Sequence, residues 1–386
     1  MSPTVLRPAD ETEVCEAIAQ AAAAQGRLML MGGGSKSAVG RSVPAVDVLQ
    51  MSAFTGVIDY DPPELVLTVG AATPLTTIER LLAGNNQMLA FAPYDPAPVF
   101  GHPTGVATIG GTLAAAVSGS QRLTRGAARD HLLGFKAVSG RGERFVAGSK
   151  VVKNVTGYDL PKLVCGSWGR LMALTEVTLK VLPRPPKSLT LVASGQSFAE
   201  ACSTTARLLG SAVDVASCGY LPSGLTGGRA LTAIQLQGFA PSVAARREMV
   251  SAWAADADFK VCDETDADAI WGMLKTLEGL NSHKPLWRVS LPAARAPAFV
   301  DELSVPPTDW VSDWAGGLIW MVSERSDTDI RQLAERLGGH AMLMRAPEDV
   351  RARVPALHPV APGLAAIEQR VRRAFDPAGV FETGRF

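Results

Sequence analysis

The chain has 386 residues, of which 47% are hydrophobic, so it is long and apolar enough for two folded domains and is not a disordered protein. The 37 Lys and Arg balance 37 Asp and Glu, which excludes the basic surplus that is typical of nucleic-acid-binding proteins. The five cysteines are scattered without a CxxC pair, which argues against a metal or iron–sulfur site and suits a reducing compartment.

Targeting signals are not evident in the sequence. The N-terminus lacks a basic stretch followed by an apolar run, and no segment reaches the ~18 apolar residues that a membrane-spanning helix needs. We therefore expect a cytoplasmic protein with no direct membrane span. Peripheral attachment to the inner membrane through partner subunits remains open.

The first part of the chain alternates helices and strands, which predicts an α/β domain. Asp10 or Thr12 can cap a helix that ends at Gly26, and an apolar strand follows. The predicted elements are a helix to about residue 25, strands over 27–31, 46–49 and 65–69, and a helix over 74–82.

Two glycine-rich loops are the main functional signal. The first loop follows the strand 27–31 and the second opens an apolar segment; they are Gly32-Gly33-Gly34-Ser35-Lys36 and Thr108-Ile109-Gly110-Gly111. Glycine lets a backbone approach a ligand closely, and a loop that opens a helix leaves N–H groups free. Two such loops that converge would suit the pyrophosphate of a dinucleotide.

The second part of the chain is richer in strands. Residues 131–139 and 144–147 read as a hairpin around 140–143, and 171–182 reads as a long strand. The stiff segment 183–186, Pro-Arg-Pro-Pro, predicts a domain boundary. We predict a first domain over 1–186, an α/β second domain over 187–346 and a C-terminal segment over 347–386 with a helix over 364–375.

The dinucleotide is not predicted to be NAD or a nucleoside triphosphate. A Rossmann fingerprint needs a third glycine where Ser37 stands and an acidic residue about 20 positions on, whereas Asp47 comes too early. A P-loop needs the spacing GxxxxGK[ST], which Gly34 and Ser35 break.

The order and spacing of five motifs resemble the FAD-binding domain of the vanillyl-alcohol oxidase, or PCMH, family. The motifs are the two glycine loops, Arg129-Asp130-His131-Leu132-Leu133-Gly134, Thr156-Gly157-Tyr158-Asp159-Leu160-Pro161-Lys162-Leu163 and Gly166-Ser167-Trp168-Gly169. The stretch 153–159 and the tail Phe381-Glu382-Thr383-Gly384-Arg385 further resemble the GlcE-type FAD-binding subunits of bacterial glycolate oxidase. The resemblance implies an α+β protein: a two-lobed PCMH-type FAD-binding domain and an α/β cap domain.

The resemblance also implies the cofactor and its contacts. The two glycine loops would bracket the FAD pyrophosphate, Gly169 and Glu176 would lie near the adenine–ribose part, and Arg385 would return to the flavin domain. The implied FAD-binding residues are Gly32, Gly33, Gly34, Ser35, Lys36, Thr108, Ile109, Gly110, Gly111, Ser118, Gly119, Gly169, Glu176 and Arg385. The close-approach argument predicts that Gly33→Val or Gly110→Val abolishes FAD binding and leaves the chain folded.

Structural roles compete with some of these assignments. Asp159 can simply cap a short helix, Asp130 can form a turn, and Ser118 can end a helix. Lys36 can pair with phosphate or extend into solvent. The first loop contains no histidine or cysteine, and His102 beside a proline is typical of a structural residue, so we expect noncovalent FAD.

The substrate site is poorly defined in the sequence. Related enzymes of D-2-hydroxy acids carry a histidine motif, HxGDGNxH, which this chain lacks. The segment 283–288, His-Lys-Pro-Leu-Trp-Arg, could bind a carboxylate, but it could equally be a surface strand or a partner contact. No catalytic base is identified.

Three functional hypotheses follow. The resemblance implies a subunit that takes part in oxidation of glycolate, or of a similar small 2-hydroxy acid, with a second FAD subunit (GlcD-like) and an iron–sulfur subunit (GlcF-like). The alternatives are a stand-alone FAD oxidoreductase acting on a 2-hydroxy acid or an alcohol, and a structural subunit whose FAD site has decayed.

Overall fold

Four β-sheets organise the part of the chain that the computed structural model describes, residues 3–43, 45–150, 157–280 and 283–386. The strands are β1 Val5–Leu6, β2 Leu28–Met31, β3 Asp47–Gln50, β4 Val57–Asp61, β5 Val66–Gly70, β6 Gln87–Met88, β7 Leu132–Ser139, β8 Arg144–Gly148, β9 Met172–Lys180, β10 Leu182–Pro183, β11 Lys187–Ser194, β12 Val215–Leu221, β13 Leu231–Gly238, β14 Lys260–Val261, β15 Leu286–Ser290, β16 Trp310–Asp313, β17 Leu318–Val322 and β18 His340–Arg345. The helices are α1 Glu11–Ala23, α2 Leu75–Ala83, α3 Ile109–Ala114, α4 Arg122–Arg125, α5 Ala128–His131, α6 Leu160–Val164, α7 Phe198–Leu209, α8 Ala240–Trp253, α9 Glu264–Thr276, α10 Ala296–Leu303, α11 Asp327–Arg336, α12 Glu348–Arg353 and α13 Pro362–Phe375.

The first lobe is a three-stranded parallel sheet in the order β1-β3-β2, with α1 packed beside it. The helix α1 begins as predicted, because the carboxylate of Asp10 accepts the N–H groups of Thr12 and Glu13. Val14 and Ile18, one helical turn apart, are completely buried against β2 and β3. This packing fixes the end of β2, where the first glycine loop starts.

The second lobe is a five-stranded antiparallel sheet in the order β4-β5-β9-β7-β8. The predicted hairpin is confirmed as β7 and β8, and the long strand is confirmed as β9 in the centre of the sheet. We did not predict β4, whose Val57 and Ile58 are exposed on an edge strand and carry no clear burial pattern. Together the two sheets confirm the predicted two-lobed architecture.

The third large unit is an eight-stranded sheet in the order β14-β11-β13-β12-β16-β17-β15-β18, and its neighbouring strands pair antiparallel. The alternation of strands and helices in this region predicted an α/β domain, which has parallel strands. The strands are antiparallel instead, so this unit has α+β packing. Along β15, Trp287 faces the core under α10 and α11, whereas Leu286 faces a core shared with Val39 and Val99 of the first two lobes. One face of this sheet therefore covers the FAD-binding lobes.

The C-terminal segment packs on the first lobe. The N–H of Leu28 donates to the Val380 carbonyl at 2.8 Å, and the buried carboxylate of Asp376 accepts the N–H groups of Val380 and Phe381, each at 2.8 Å. The domain limits at residues 186 and 346 stay a prediction. In the described ranges, no helix combines the length and the apolar character that crossing a membrane requires.

Candidate functional site

The two glycine loops, which the sequence predicts to converge on a ligand, are in direct contact with each other. A Cβ on Gly32 would lie 2.6 Å from the Thr108 Oγ1, and a Cβ on Gly33 would lie 1.5 Å from the Val106 carbonyl oxygen. Only glycine fits at these positions, because the second loop occupies the space that a side chain would need. We expected the missing side chain of Gly33 to make room for a ligand. In the structure it makes room for the backbone of the second loop.

The backbone of the first loop is arranged to bind an anion. Among the described residues, none accepts a hydrogen bond from the backbone N–H groups of the four consecutive residues Gly33, Gly34, Ser35 and Lys36. Gly34 has a φ of 77°, so the chain turns through the left-handed region, and Ser35 is only 4% exposed. Successive free N–H groups in such a turn form an anion-binding nest.

The second loop uses its N–H groups within the protein. Ile109 donates to the Thr73 carbonyl at 3.0 Å, Gly110 donates to the Ala71 carbonyl at 2.7 Å, and Gly111 donates to the Thr108 Oγ1 at 3.4 Å. Ile109 is a fully buried core residue. A Cβ on Gly110 would lie 2.8 Å from the Ala71 carbonyl oxygen, so this glycine packs the helix against β5. Because of this packing we now expect Gly110→Val to disturb the fold, contrary to the expectation from the sequence.

Gly111 differs from Gly110, because its missing side chain would point between the loops. The nearest atoms to a Cβ at this position are Thr108 Oγ1 at 3.2 Å and the Lys36 Nζ at 3.9 Å. Both neighbours are side chains rather than backbone. Gly111 is thus the glycine of the second loop whose Cα faces the cleft between the loops.

Lys36 extends into this cleft rather than into solvent. Its Nζ donates to the Ser35 Oγ at 3.0 Å. Burial lowers the pKa of Lys36 to about 8; the Asp95 carboxylate opposes this shift and the Arg385 guanidinium adds to it. Within the described ranges no carboxylate lies within ion-pair distance of the Lys36 Nζ. A bound phosphate would supply the missing negative charge.

The Gly-Ser-Trp-Gly motif forms the opposite wall of the cleft. Gly166, Trp168 and Gly169 all have positive φ, at 88°, 54° and 73°. The N–H of Trp168 donates to the Ala114 carbonyl at 2.8 Å, so the motif is tied to the end of α3. A bulky residue in the left-handed region is uncommon and clusters at functional sites. The sequence motif contained Trp168, but only Gly169 was assigned to the site.

Arg385 completes the cleft by supporting the first loop. Its Nε donates to the Val39 carbonyl at 2.7 Å and its Nη2 donates to the Lys36 carbonyl. Burial lowers the pKa of Arg385 to about 10, with a further contribution from Arg351. Arg385 therefore shapes the loop and adds positive charge to the cleft.

We call this space the cleft; it is lined by Gly32, Gly33, Gly34, Ser35, Lys36, Thr108, Gly110, Gly111, Trp168, Gly169 and Arg385, with apolar residues of β2 and β9. Four predicted cofactor residues lie outside the cleft: Ile109, which is a buried core residue, and Ser118, Gly119 and Glu176. Ser118 is buried and its Oγ accepts the Ala128 N–H at 3.0 Å. Gly119 packs against Ala92, and its carbonyl accepts the Trp314 Nε1–H at 3.0 Å, which links the lobes to the third sheet.

Glu176 is the clearest departure from the predicted site. Its Oε2 accepts from the Lys136 Nζ at 2.9 Å on the neighbouring strand β7. Leu174, two residues earlier on β9, lines the cleft instead. The ion pair across the sheet places the Glu176 carboxylate outside the cleft, where a negative charge would not repel a phosphate.

The competing structural roles are confirmed for several other residues. Asp159 caps α6 by accepting the Lys162 N–H, and Asp130 accepts the Ala127 N–H at 2.8 Å. His102 lies within 2.9 Å of the Ser37 Oγ, next to the first loop. The motif stretch over residues 153–156 lies outside the described residues.

A larger space, which we call the chamber, opens from the cleft between the FAD-binding lobes and the eight-stranded sheet. Lys36, Ala115, Trp168 and Phe386 line both spaces. The chamber wall carries five cationic side chains, two histidines and one carboxylate: Lys36, Arg122, Arg170, Arg288, Arg372, His340, His358 and Glu368. In a chain with zero formal net charge, this concentration favours an anionic ligand.

The predicted carboxylate-binding segment 283–288 is divided by the strand β15. Lys284 pairs with Asp309 at 2.8 Å, and Trp287 is 2% exposed in the core under α10 and α11. Arg288 alone reaches the chamber. The segment is thus an interior strand rather than a surface strand, since β15 lies between β17 and β18.

Tyr94 is the main hydroxyl of the chamber wall that the sequence did not reveal. Burial raises the pKa of Tyr94 to about 12, against an opposing effect of the nearby Arg288. Its phenol therefore stays protonated near neutral pH and can donate a hydrogen bond, but it is not a base. In the described part of the chain, no three His, Cys, Asp or Glu side chains lie close enough to hold a metal ion.

Comparisons with known proteins agree with this geometry. Residues 3–148 match the family described as the FAD binding domain. The chain is 34% identical to glycolate oxidase subunit GlcE of Escherichia coli K12 over 99% of both chains. It is 29% identical to glycolate oxidase subunit GlcD of Bacillus subtilis 168 over 45% of this chain and 35% of that protein. A solved alkyldihydroxyacetonephosphate synthase has the same fold, with a TM-score of 0.68 at 16% identity over 97% of this chain and 75% of that one.

Proposed function

Because the chain belongs to the GlcE family of glycolate oxidase subunits, we propose that it is the FAD-binding subunit of a complex that oxidises glycolate to glyoxylate. The full-length match to a GlcE subunit is the observation that carries the proposal. The same match, together with the partial match to a GlcD subunit, supports assembly with a GlcD-like FAD subunit. An iron–sulfur GlcF-like subunit would complete the complex and could attach it to the inner membrane.

The cleft fits the proposed cofactor. The four free N–H groups of the first loop and the Lys36 Nζ would hold the FAD phosphates, and the absence of acidic side chains from the cleft wall of the described residues removes repulsion. Gly111, Trp168 and Gly169 would form the opposite wall. We propose noncovalent binding, because the first loop has no histidine or cysteine and His102 contacts Ser37.

The chamber offers groups that can bind a substrate carboxylate, but among the described residues it offers no free carboxylate that can take the hydroxyl proton. FAD, when bound, supplies the two-electron oxidant. The chain itself offers cations that attract a carboxylate and the protonated Tyr94, but the chamber wall among the described residues offers no unpaired carboxylate as a base. With the histidine motif also missing from the sequence, we propose that turnover needs the partner subunits.

The proposal is tested by purifying the chain alone and together with its neighbouring gene products. We expect one FAD per chain in both preparations, released intact by denaturation because it is noncovalent. We expect glycolate-dependent dye reduction only in the complex. Glycolate reduction of the flavin in the isolated chain would instead favour a stand-alone oxidoreductase, and a colourless chain that FAD does not reconstitute would favour a decayed site.

A further inference from the structure

Arg288 lies in the chamber without a charged partner. Among the described residues its guanidinium has one hydrogen-bonding neighbour, the Ser290 Oγ at 3.4 Å, and it lies 5.2 Å and 5.9 Å from the ring centres of Trp314 and Trp320. Aromatic rings compensate a cation only partly. Burial lowers the pKa of Arg288, which reflects the cost of holding this charge away from water.

Arg122 approaches the same point from the FAD-binding lobes. Its guanidinium lies 4.5 Å from the ring centre of Trp314, so two arginines from different parts of the fold lie close to one indole. Burial is the main cause that lowers the pKa of Arg288; Tyr94 opposes this shift, and the charge of Arg122 adds to it. Like charges brought together in this way repel each other unless an anion lies between them.

The nearby carboxylates do not fill this role. Glu368 already binds Arg170 at 3.0 Å and lies 3.8 Å from Arg372. Asp313 is buried, and its two oxygens accept from the Ser120 Oγ at 2.6 Å and the Trp314 N–H at 2.7 Å. Within the described ranges, neither Arg122 nor Arg288 forms an ion pair.

We propose that Arg288 and Arg122 together bind the carboxylate of a small 2-hydroxy acid in the chamber. This inference rests on the proposed function and names the residues that recognise its substrate class. Two guanidinium forks match a planar carboxylate, and Trp314 holds both in place. Phe100, Met342 and Met344 line the same chamber and offer an apolar surface to the rest of the ligand.

The test uses the flavin-loaded chain, alone and in the complex, with Arg288→Met, Arg122→Met and the double variant. Arg295→Met is the matched control, since Arg295 is exposed on the same domain and outside the chamber. Glycolate is titrated against the flavin absorbance, with its uncharged analogue glycolamide as the second probe. Thermal unfolding of each variant without ligand is measured in parallel.

We expect each single variant to weaken glycolate binding by about 10- to 100-fold and to leave glycolamide binding unchanged. The double variant should lose less than the product of the two single losses, because both arginines bind one group. Without ligand, Arg288→Met should be as stable as the parent chain or more stable, since an uncompensated buried charge is removed.

Two results would overturn the assignment. One is unchanged glycolate affinity in both single variants with FAD still bound. The other is an unliganded Arg288→Met chain that unfolds at a markedly lower temperature, which would mean that the arginine serves to hold Trp314 and Trp320. A failure of the proposed function would give a different result, namely no glycolate turnover by the parent complex. Carboxylate binding is measured separately, in the titrations of the parent chain and the variants.

Discussion

Replacing Lys36 with methionine should make the FAD-free protein more stable and its FAD binding weaker. The side chain is partly buried in the cleft, and burial holds its pKa near 8 instead of 10.5. This pKa difference means that the charged lysine lowers the unfolding free energy of the FAD-free protein by at most about 3 kcal/mol at pH 7. Methionine has a similar length and carries no charge, so it avoids this cost.

The sign of the pH dependence follows from the same pKa. The folded pKa lies below the unfolded one, so the unfolded chain binds more protons between pH 8 and pH 10.5, and FAD-free stability contributed by Lys36 rises with pH in that window. Phosphate in the cleft favours the charged form and raises the pKa of Lys36, so FAD binding takes up a proton. We expect FAD affinity to be constant below about pH 7 and to weaken by up to about tenfold per pH unit above about pH 8.

The assay is fluorescence titration of the FAD-free chain with FAD between pH 6.5 and 9, with thermal unfolding in the same buffers. Lys36→Met should bind FAD about 10- to 100-fold more weakly at pH 7 and show little pH dependence. Lys187→Met is the control, because Lys187 is exposed outside the cleft. An FAD-free Lys36→Met chain that is less stable than the parent, or an unchanged affinity for FAD at pH 7, would refute the reasoning.

Three further substitutions separate packing from ligand contact and test a buried carboxyl. Gly33→Ala should destabilise the FAD-free chain by about 1–3 kcal/mol in denaturant unfolding, because its Cβ would clash with the Val106 carbonyl. Gly111→Val should keep most of the stability and weaken FAD binding by about 30-fold. Equal effects of the two substitutions on stability and on FAD binding would contradict the assignment of Gly33 to packing and Gly111 to ligand contact. Burial raises the pKa of Asp313 to about 6, so its contribution to stability is present below pH 3.8 and is lost as pH rises through about 6, by up to about 3 kcal/mol. Asp313→Asn should therefore show a smaller change in melting temperature between pH 5 and pH 7.5 than the parent, and an equal change would exclude this origin.

Many of the correct sequence predictions depend on residues that are close together along the chain. The Asp10 cap of α1, the Asp159 cap of α6 and the hairpin of β7 and β8 depend on residues a few positions apart, and each appears as predicted. Glycine after a buried strand predicted the first loop, and the order of the motifs identified the FAD-binding fold. These features are determined by short-range sterics and hydrogen bonding, which a sequence states directly.

The tertiary structure decided which of the predicted residues can face a ligand. Gly33 and Gly110 look like Gly34 and Gly111 in the sequence, but a side chain at either of the first two would clash with neighbouring backbone, so these two glycines are needed for packing as well as lining the cleft. Glu176 was assigned to the cofactor, yet its cross-strand partner Lys136 lies 40 residues away along the chain. Such contacts depend on the register of long-range strand pairs, which local patterns do not encode.

The chamber shows the same limit most clearly. Arg122 on the helix α4 and Arg288 on the strand β15 are separated by more than 160 residues, yet both lie against Trp314. The sequence by itself determined the family, the cofactor and the glycine loop that would hold its phosphates. Only the folded chain, in its described ranges, showed which N–H groups remain free and that two arginines without an ion pair lie close to one indole, because burial and charge compensation are properties of neighbours in space.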